Sequence, residues 1–502
     1  MDFMITSTLP LILFSLIFTW FIYVVKPKLC HQKSKKLPPG PYQFPIIGNI
    51  LQLSKKPHIT FAHLSKVYGP IMSLKFGSIN LVIISSPEMA KKTLVKHDHI
   101  LSVCRPVPLA AQAHYHDKIS MAFLPVGNRW RKLRKICKEQ IFSTCRVKAS
   151  QGLRRDKLCQ LRDYLQKCCF SGRVVNIEEV AFITALNLMS NTLFSMDFAK
   201  FDCSGGQELK RIVQDVVVTL SAPNIADFFS VLEVIDPQGI KRKADVCVGK
   251  LLGMFEEIID ERLKKRDDSN SSHKFDLLET LLDLSQGNEY DLSYSEIKHL
   301  LLDLFLGGTD TTSNTVDWTM TELLLNPSKM SNLKNELNLV VGKGKKVEES
   351  DISKLPYLQA VIKEVFRYHP PAPFLIPHKA DADIEIDGGY MIPKNTQVIV
   401  NVWAIGRDSR IWSNPYSFEP ERFLDSKIDV KGQDFELIPF GSGRRICPGM
   451  PLAHQMIHLM VATLVHNFDW EPKELNTNDK FGLSLRRVLP LKAIPIKLTD
   501  AI

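Results

Sequence analysis

The chain has 502 residues, 45% hydrophobic and 24% charged, which is enough apolar side chain for a large core and excludes a disordered or fibrous chain. Its formal net charge is +10. The surplus gathers at Lys26–Lys36 and Arg129–Lys138 without an aromatic-interleaved stripe or zinc finger, so no nucleic-acid partner is expected. The ten cysteines include no CxxC pair, which excludes a disulfide framework and fits a reducing compartment.

The first element in chain order is an uncharged run from Phe3 to Val25. As a helix, its 23 residues would rise about 35 Å, enough to cross a hydrocarbon core of about 30 Å. A cleaved signal would have a shorter apolar core followed by a small-residue site, and neither is present. Residues 3–25 are therefore expected to form a transmembrane anchor in contact with membrane lipid. Lys26, Lys28, Lys33, Lys35 and Lys36 follow and place everything after them in the cytosol. An Asn270-Ser271-Ser272 sequon would then stay unmodified. Leu37-Pro38-Pro39-Gly40-Pro41 cannot continue a helix, so residues 26–41 form a basic flank and a stiff hinge. No repeat or long linker divides residues 42–502, and one large domain is expected there.

Residues 60–100 read as a helix followed by strands at Ile71–Phe76 and Leu81–Ile84, and residues 129–340 are mainly helical. The hydrophilic runs Arg262–Lys274 and Gly342–Ser350 read as surface loops. Strand character returns at Ile384–Ile386 and Gln397–Val400, and a helix follows Pro451. The fold class is mainly α with a small β part. One helix opens on a capping box, Ser293-x-x-Glu296, and runs about 30 residues to Asn326-Pro327. Its centre is Gly307-Gly308-Thr309-Asp310-Thr311-Thr312, and two glycines there cost about 1 kcal/mol each against Ala. Such a breach marks either a functional site or a close helix crossing that needs glycine.

Near the C-terminus, Pro439-Phe440-Gly441-Ser442-Gly443-Arg444-Arg445-Ile446-Cys447-Pro448-Gly449 forms a glycine-rich loop just before a helix. Loop amides and the helix N-terminus favour an anionic sulfur at Cys447. A buried structural cysteine, or a nucleophile with a distant His base, remain open on the residues alone. On a helical wheel Trp130, Leu133, Ile136 and Cys137 share one face, with Arg134 at its edge. Glu364 and Arg367 fall opposite the apolar face of Val361, Ile362, Val365 and Phe366. Periodicity predicts an exposed pair there, worth about 0.2–0.5 kcal/mol.

Phe440-x-x-Gly443-x-Arg445-x-Cys447-x-Gly449 resembles the haem signature of the cytochrome P450 family. Four other features occur in that family's order: the proline hinge, Trp130-Arg131-Lys132-Leu133-Arg134, Gly307-Gly308-Thr309-Asp310-Thr311, and Glu364-x-x-Arg367 with Pro420-Glu421-Arg422-Phe423. The resemblance covers residues 37–500. It implies the family's fold, a haem b cofactor with Cys447 as iron ligand, and a structural lock of Glu364, Arg367 and Arg422. It also implies a monooxygenase that consumes O2, with Asp310 and Thr311 relaying protons. Trp130, Arg134, Arg445 and Phe440 would hold the haem. Where much of the family has Arg after Pro377, this chain has His378, so that propionate contact is an open expectation.

No flavin or nicotinamide motif is present. The resemblance therefore implies electrons from an NADPH-dependent cytochrome reductase in the endoplasmic reticulum membrane, whose acidic face would suit Arg131, Lys132, Lys135 and Lys138. Family substrate-contact segments fall on Cys104–Met121, residues 216–232, Leu301–Gly307, Ala372–Ile376 and Phe481–Leu485. Leu306, Gly307, Phe374, Leu375 and Leu483 imply a small apolar substrate, while His114, His116 and Asp117 could be surface or could recognise a hydroxyl. Longer phrases, such as His116-Asp117-Lys118-Ile119-Ser120 and Trp403-Ala404-Ile405-Gly406-Arg407-Asp408, are similar to the plant terpenoid-hydroxylase subfamily of ferruginol synthase and geraniol hydroxylase. They imply hydroxylation of an abietane-type diterpene such as miltiradiene or ferruginol, or next a monoterpenol such as geraniol. Two alternatives stand: oxidation of an alkaloid or phenolic amino acid, and a haem-thiolate isomerase or dehydratase that uses no O2.

Overall fold

A computed structural model describes residues 37–202, 205–266, 276–287, 291–386 and 388–497, together with Ser15. Except for Ser15, the expected anchor at residues 3–25 lies outside the described residues, as do the Lys26–Lys36 flank and the Asn270 sequon. No described helix is long and apolar enough to cross a membrane.

The small β part assembles from distant segments. β1 (Ile71–Phe76) and β2 (Ile79–Ile84) form an antiparallel hairpin across Gly77, whose φ of 56° suits a residue without Cβ. β3 (His378–Lys379) is antiparallel to β4 (Gln397–Val400), which in turn runs parallel to β2, giving the order β1-β2-β4-β3. The proline hinge is docked on this sheet. Ser73 N and Ser73 Oγ donate to the carbonyls of Pro39 and Pro38 at 2.8 and 2.6 Å, and a Cβ on Gly40 would collide with the Ser73 carbonyl.

Seven helices position the site: α1 (Asn128–Ile136), α2 (Ile177–Phe194), α3 (Gly205–Ser221), α4 (Ile240–Arg266), α5 (Tyr294–Leu325), α6 (Pro356–Tyr368) and α7 (Met450–Asn467). In α1 the buried residues are Trp130, Leu133 and Ile136, as the wheel predicts. α2 is buried on nearly all sides, and it packs along α5. α5 is 32 residues long, about 48 Å at 1.5 Å each. Both halves of its capping box form, with Glu296 N donating to Ser293 Oγ at 3.2 Å and Ser293 N to Glu296 Oε2 at 3.0 Å. Two apolar clusters meet along it, one with α2 and α4, the other with α6 and α7.

Two sequence expectations are corrected. Arg262–Arg266 is the last turn of α4, not a loop. Arg262 is buried and donates to Asp276 Oδ1 and Glu279 Oε2, both at 2.9 Å. Glu364 and Arg367 are not an exposed pair, because both are fully buried. α6 packs on both sides, a condition that one-faced periodicity cannot register. Arg367 Nε and Nη2 grip Glu364 in a bidentate pair at 2.7 Å each. The remaining Arg367 donors take the carbonyls of Gly406, Pro415 and Ser417. Arg422 Nε completes the group 3.2 Å from Glu364. The lock ties α6 to the segment 406–422.

Candidate functional site

α1, α5, α7 and the loop before α7 enclose a cavity of about 650 Å³. Cys447 lies in its lining, and its amide donates to the Phe440 carbonyl at 2.9 Å, which closes the glycine-rich loop. Gly443 has φ 66°, and a Cβ there would strike the Leu94 carbonyl, so the turn requires glycine. The amides of Gly449 and Met450 donate to the sulfur, and the Arg134 guanidinium is near. Burial nonetheless wins and pushes the thiol pKa above its ordinary value. The loop amides and Arg134 oppose that shift and would favour the ionised sulfur of a metal ligand.

Arg105, Arg134 and Arg445 also line the cavity. Their acceptors are backbone carbonyls: Ile376 and Pro377 for Arg105, Ile446 for Arg134, and Ser102, Val103 and Leu124 for Arg445. Burial lowers Arg105 well below the ordinary guanidinium range, with Arg445 and Arg134 adding to the effect. Arg445 is lowered to about 10, again chiefly by burial. Arg105 Nε is buried with no hydrogen-bond partner. Three cations that pair with no carboxylate among the described residues, beside a cysteine in a largely apolar cavity, fit a bulky dianion with a thiolate-seeking metal. Haem, with iron and two propionates, has that chemistry.

Trp130 lies under Arg445, whose guanidinium carbon is 5.3 Å from the ring centre. Phe440 packs edge-on against Phe366 in the lining. His378 is buried in the same lining, its Nδ1 3.1 Å from the Leu101 carbonyl. Burial, then Arg105 and Arg445, hold it far below the usual imidazole range. Sequence reasoning missed Arg105. The only available signal was an arginine inside the substrate-contact segment Cys104–Met121.

The middle of α5 resolves both readings of its glycines. A Cβ on Gly308 would come within 2.6 Å of Met189 Sδ, so Gly308 permits the close crossing with α2. A Cβ on Gly307 would meet nothing within 4 Å, and Gly307 faces the cavity. Thr311 Oγ1 donates to the Gly307 carbonyl at 2.7 Å. Asp310 is buried and takes hydrogen bonds from Ser484 Oγ and Arg486 Nη2, partners that its neighbours in sequence did not reveal. The strand of contacts continues along α5. The Leu485 carbonyl accepts from Asn314 Nδ2 and Trp318 Nε1, both at 2.9 Å, and Arg487 Nη1 donates to Thr321 Oγ1 at 2.7 Å.

Leu306, Phe374, Leu375 and Leu483 all line the cavity. Phe374 serves the core as well, stacked on Phe61 at 5.4 Å. Leu375 sits at φ 53°, a conformation that side chains rarely adopt. His114 is exposed and bonds the Asp245 carbonyl. His116 is buried in the lining instead, its Nδ1 2.8 Å from that of His299 and its Nε2 3.3 Å from Asp303. Asp117 is buried as well. All described cysteines are free thiols.

Comparison with known proteins agrees with this geometry. The Cytochrome P450 family profile matches residues 38–498. A ferruginol synthase of Salvia miltiorrhiza is 53% identical over 484 residues, covering 95% of this chain and 97% of that protein. Cytochrome P450 76T24 of Catharanthus roseus is 51% identical, covering 97% and 99%. A sugiol synthase of Salvia miltiorrhiza is 51% identical, covering 95% and 97%. The chain belongs to the cytochrome P450 family of haem-thiolate monooxygenases.

Proposed function

We propose that this monooxygenase hydroxylates an abietane-type diterpene. The observation that carries the reading is the apolar wall of Leu306, Phe374, Leu375 and Leu483 in the cavity that Cys447 also lines, in a chain about half identical to ferruginol synthases. The test is a panel of diterpenes and monoterpenes given to membranes containing the protein and a reductase under labelled O2. A diterpene product carrying one labelled oxygen is expected; conversion of monoterpenes alone, or unlabelled product, would overturn the reading.

In this reading Cys447 Sγ would be the iron ligand, and Arg105, Arg134, Arg445, Trp130 and His378 would hold the propionate side. Bound haem supplies the iron at which O2 is reduced. Asp310 and Thr311 move protons toward that face. Asp310 sits between the cavity and part-exposed Arg486 and must loosen that ion pair to take up a proton. Thr311 Oγ1 keeps its lone pairs free to accept while it donates to Gly307. Asp310→Asn is expected to cut product formation by about 10²-fold while NADPH oxidation falls less, a split read by measuring both in one assay. An equal fall in the two would point to a structural role.

Residues 3–25 anchor the chain in the endoplasmic reticulum membrane, and the domain from residue 42 onward faces the cytosol. The uncharged run and its lysine flank support this. An NADPH-dependent reductase docks on the basic face of α1. Lys132 is committed to Glu296 and the Asp291 carbonyl, Lys135 lies 4.0 Å from Glu139, and Arg131 and Lys138 are exposed. The double variant Arg131→Glu, Lys138→Glu should slow reductase-supported turnover about tenfold at low salt and spare peroxide-driven turnover. Equal losses in the two assays would reject the docking face.

A further inference from the structure

Most polar groups in the cavity wall are already committed within the chain. Asp227 accepts from Leu109 N at 2.7 Å, and Asp303 accepts from Ser120 Oγ and Met121 N at 2.7 and 2.8 Å. His116 is paired with His299. Asn224 differs. It is 1% exposed and lines the cavity. Its Oδ1 accepts from Ala226 N at 3.1 Å, and this bond settles which end of the amide is oxygen. The other end, Nδ2, is buried and has no hydrogen-bond partner.

An amide nitrogen carries two N–H donors, and leaving them dry is costly. A hydrocarbon offers them nothing, whereas a ketone or hydroxyl oxygen offers an acceptor. Asn224 follows α3, whereas Cys447 belongs to the loop before α7, so anchoring and ligation fall to different elements of the wall. We infer that Asn224 is a substrate-anchoring residue and that the substrate is a terpenoid already bearing an oxygen function, which Asn224 Nδ2 grips. An earlier oxygenation must then supply this substrate. The terpenoid skeleton rests on the function proposed above; the oxygen rests on Asn224.

The test titrates the haem-loaded protein, by its optical shift, with matched pairs: an abietane hydrocarbon against its ketone and alcohol, and the hydrocarbon counterpart of geraniol against geraniol. In each pair that binds, the oxygenated member is expected to bind about tenfold tighter. Asn224→Asp keeps the oxygen that caps Ala226 N and removes the donor. Asn224→Leu removes both, and haem content reports on folding. Both variants should erase the preference by weakening only the oxygenated ligand. Equal affinity within the pairs, as when a trapped water satisfies Nδ2, would overturn the inference, and so would equal weakening of both members by Asn224→Asp. Which skeleton binds tests the diterpene reading separately.

Discussion

Cys447→Ser is expected to lower product formation by at least about 10³-fold, the scale of removing one member of a reacting unit. It should also abolish the thiolate signature in the optical spectrum of the reduced carbon-monoxide complex. Haem content should fall less, because Arg105, Arg134 and Arg445, which line the same cavity and are proposed to hold the propionate side, remain. Among the described residues Cys447 is the one cysteine in the lining, and Cys137 is buried against Met121 with its pKa pushed up to about 12, chiefly by burial. Haem content, spectrum and product measured on one preparation separate ligation from folding. A variant that keeps the thiolate spectrum would place the ligand elsewhere.

The second large effect is on stability. Glu364→Gln preserves size and hydrogen-bonding reach but leaves Arg367 and Arg422 without their shared counter-charge. Removing one partner of a buried ion pair costs about 3–5 kcal/mol. The urea midpoint followed by circular dichroism should therefore fall sharply. Arg367→Lys should also lose stability, because an ammonium cannot reproduce five donors to Glu364 and three carbonyls. A loss near 0.2–0.5 kcal/mol for Glu364→Gln would mean that the pair behaves as an exposed i,i+3 pair after all.

That contrast shows what a sequence can carry. The β1 and β2 runs, the Ser293 capping box, the stop at Asn326-Pro327 and the turn glycines before Cys447 are local signals. Each appears in the fold because its cause lies within a few residues. The burial of Glu364 was hidden because helical periodicity assumes one packed face and α6 has two. Gly307 and Gly308 were legible as an anomaly, but only the position of Met189 shows that Gly308 also serves the crossing, while both glycines line the cavity. Arg105 and Arg486 were invisible for a different reason. Their roles depend on partners such as Ile376 and Asp310, some 271 and 176 positions away. Orphaned atoms such as Asn224 Nδ2 are hidden from sequence by definition, since they are known by what fails to reach them.

The stretch from Ser484 to Arg487 runs along α5 like a zip fastener, and the residues just before it, Phe481 to Leu483, form part of the cavity wall. In the proposed reading, selectivity and proton supply thus share one piece of backbone. Redesign of this wall will not be modular: a substitution at Leu483 that admits a new ligand also tugs on Asp310. Engineered variants here should trade a wider substrate range for reducing equivalents lost to peroxide and water.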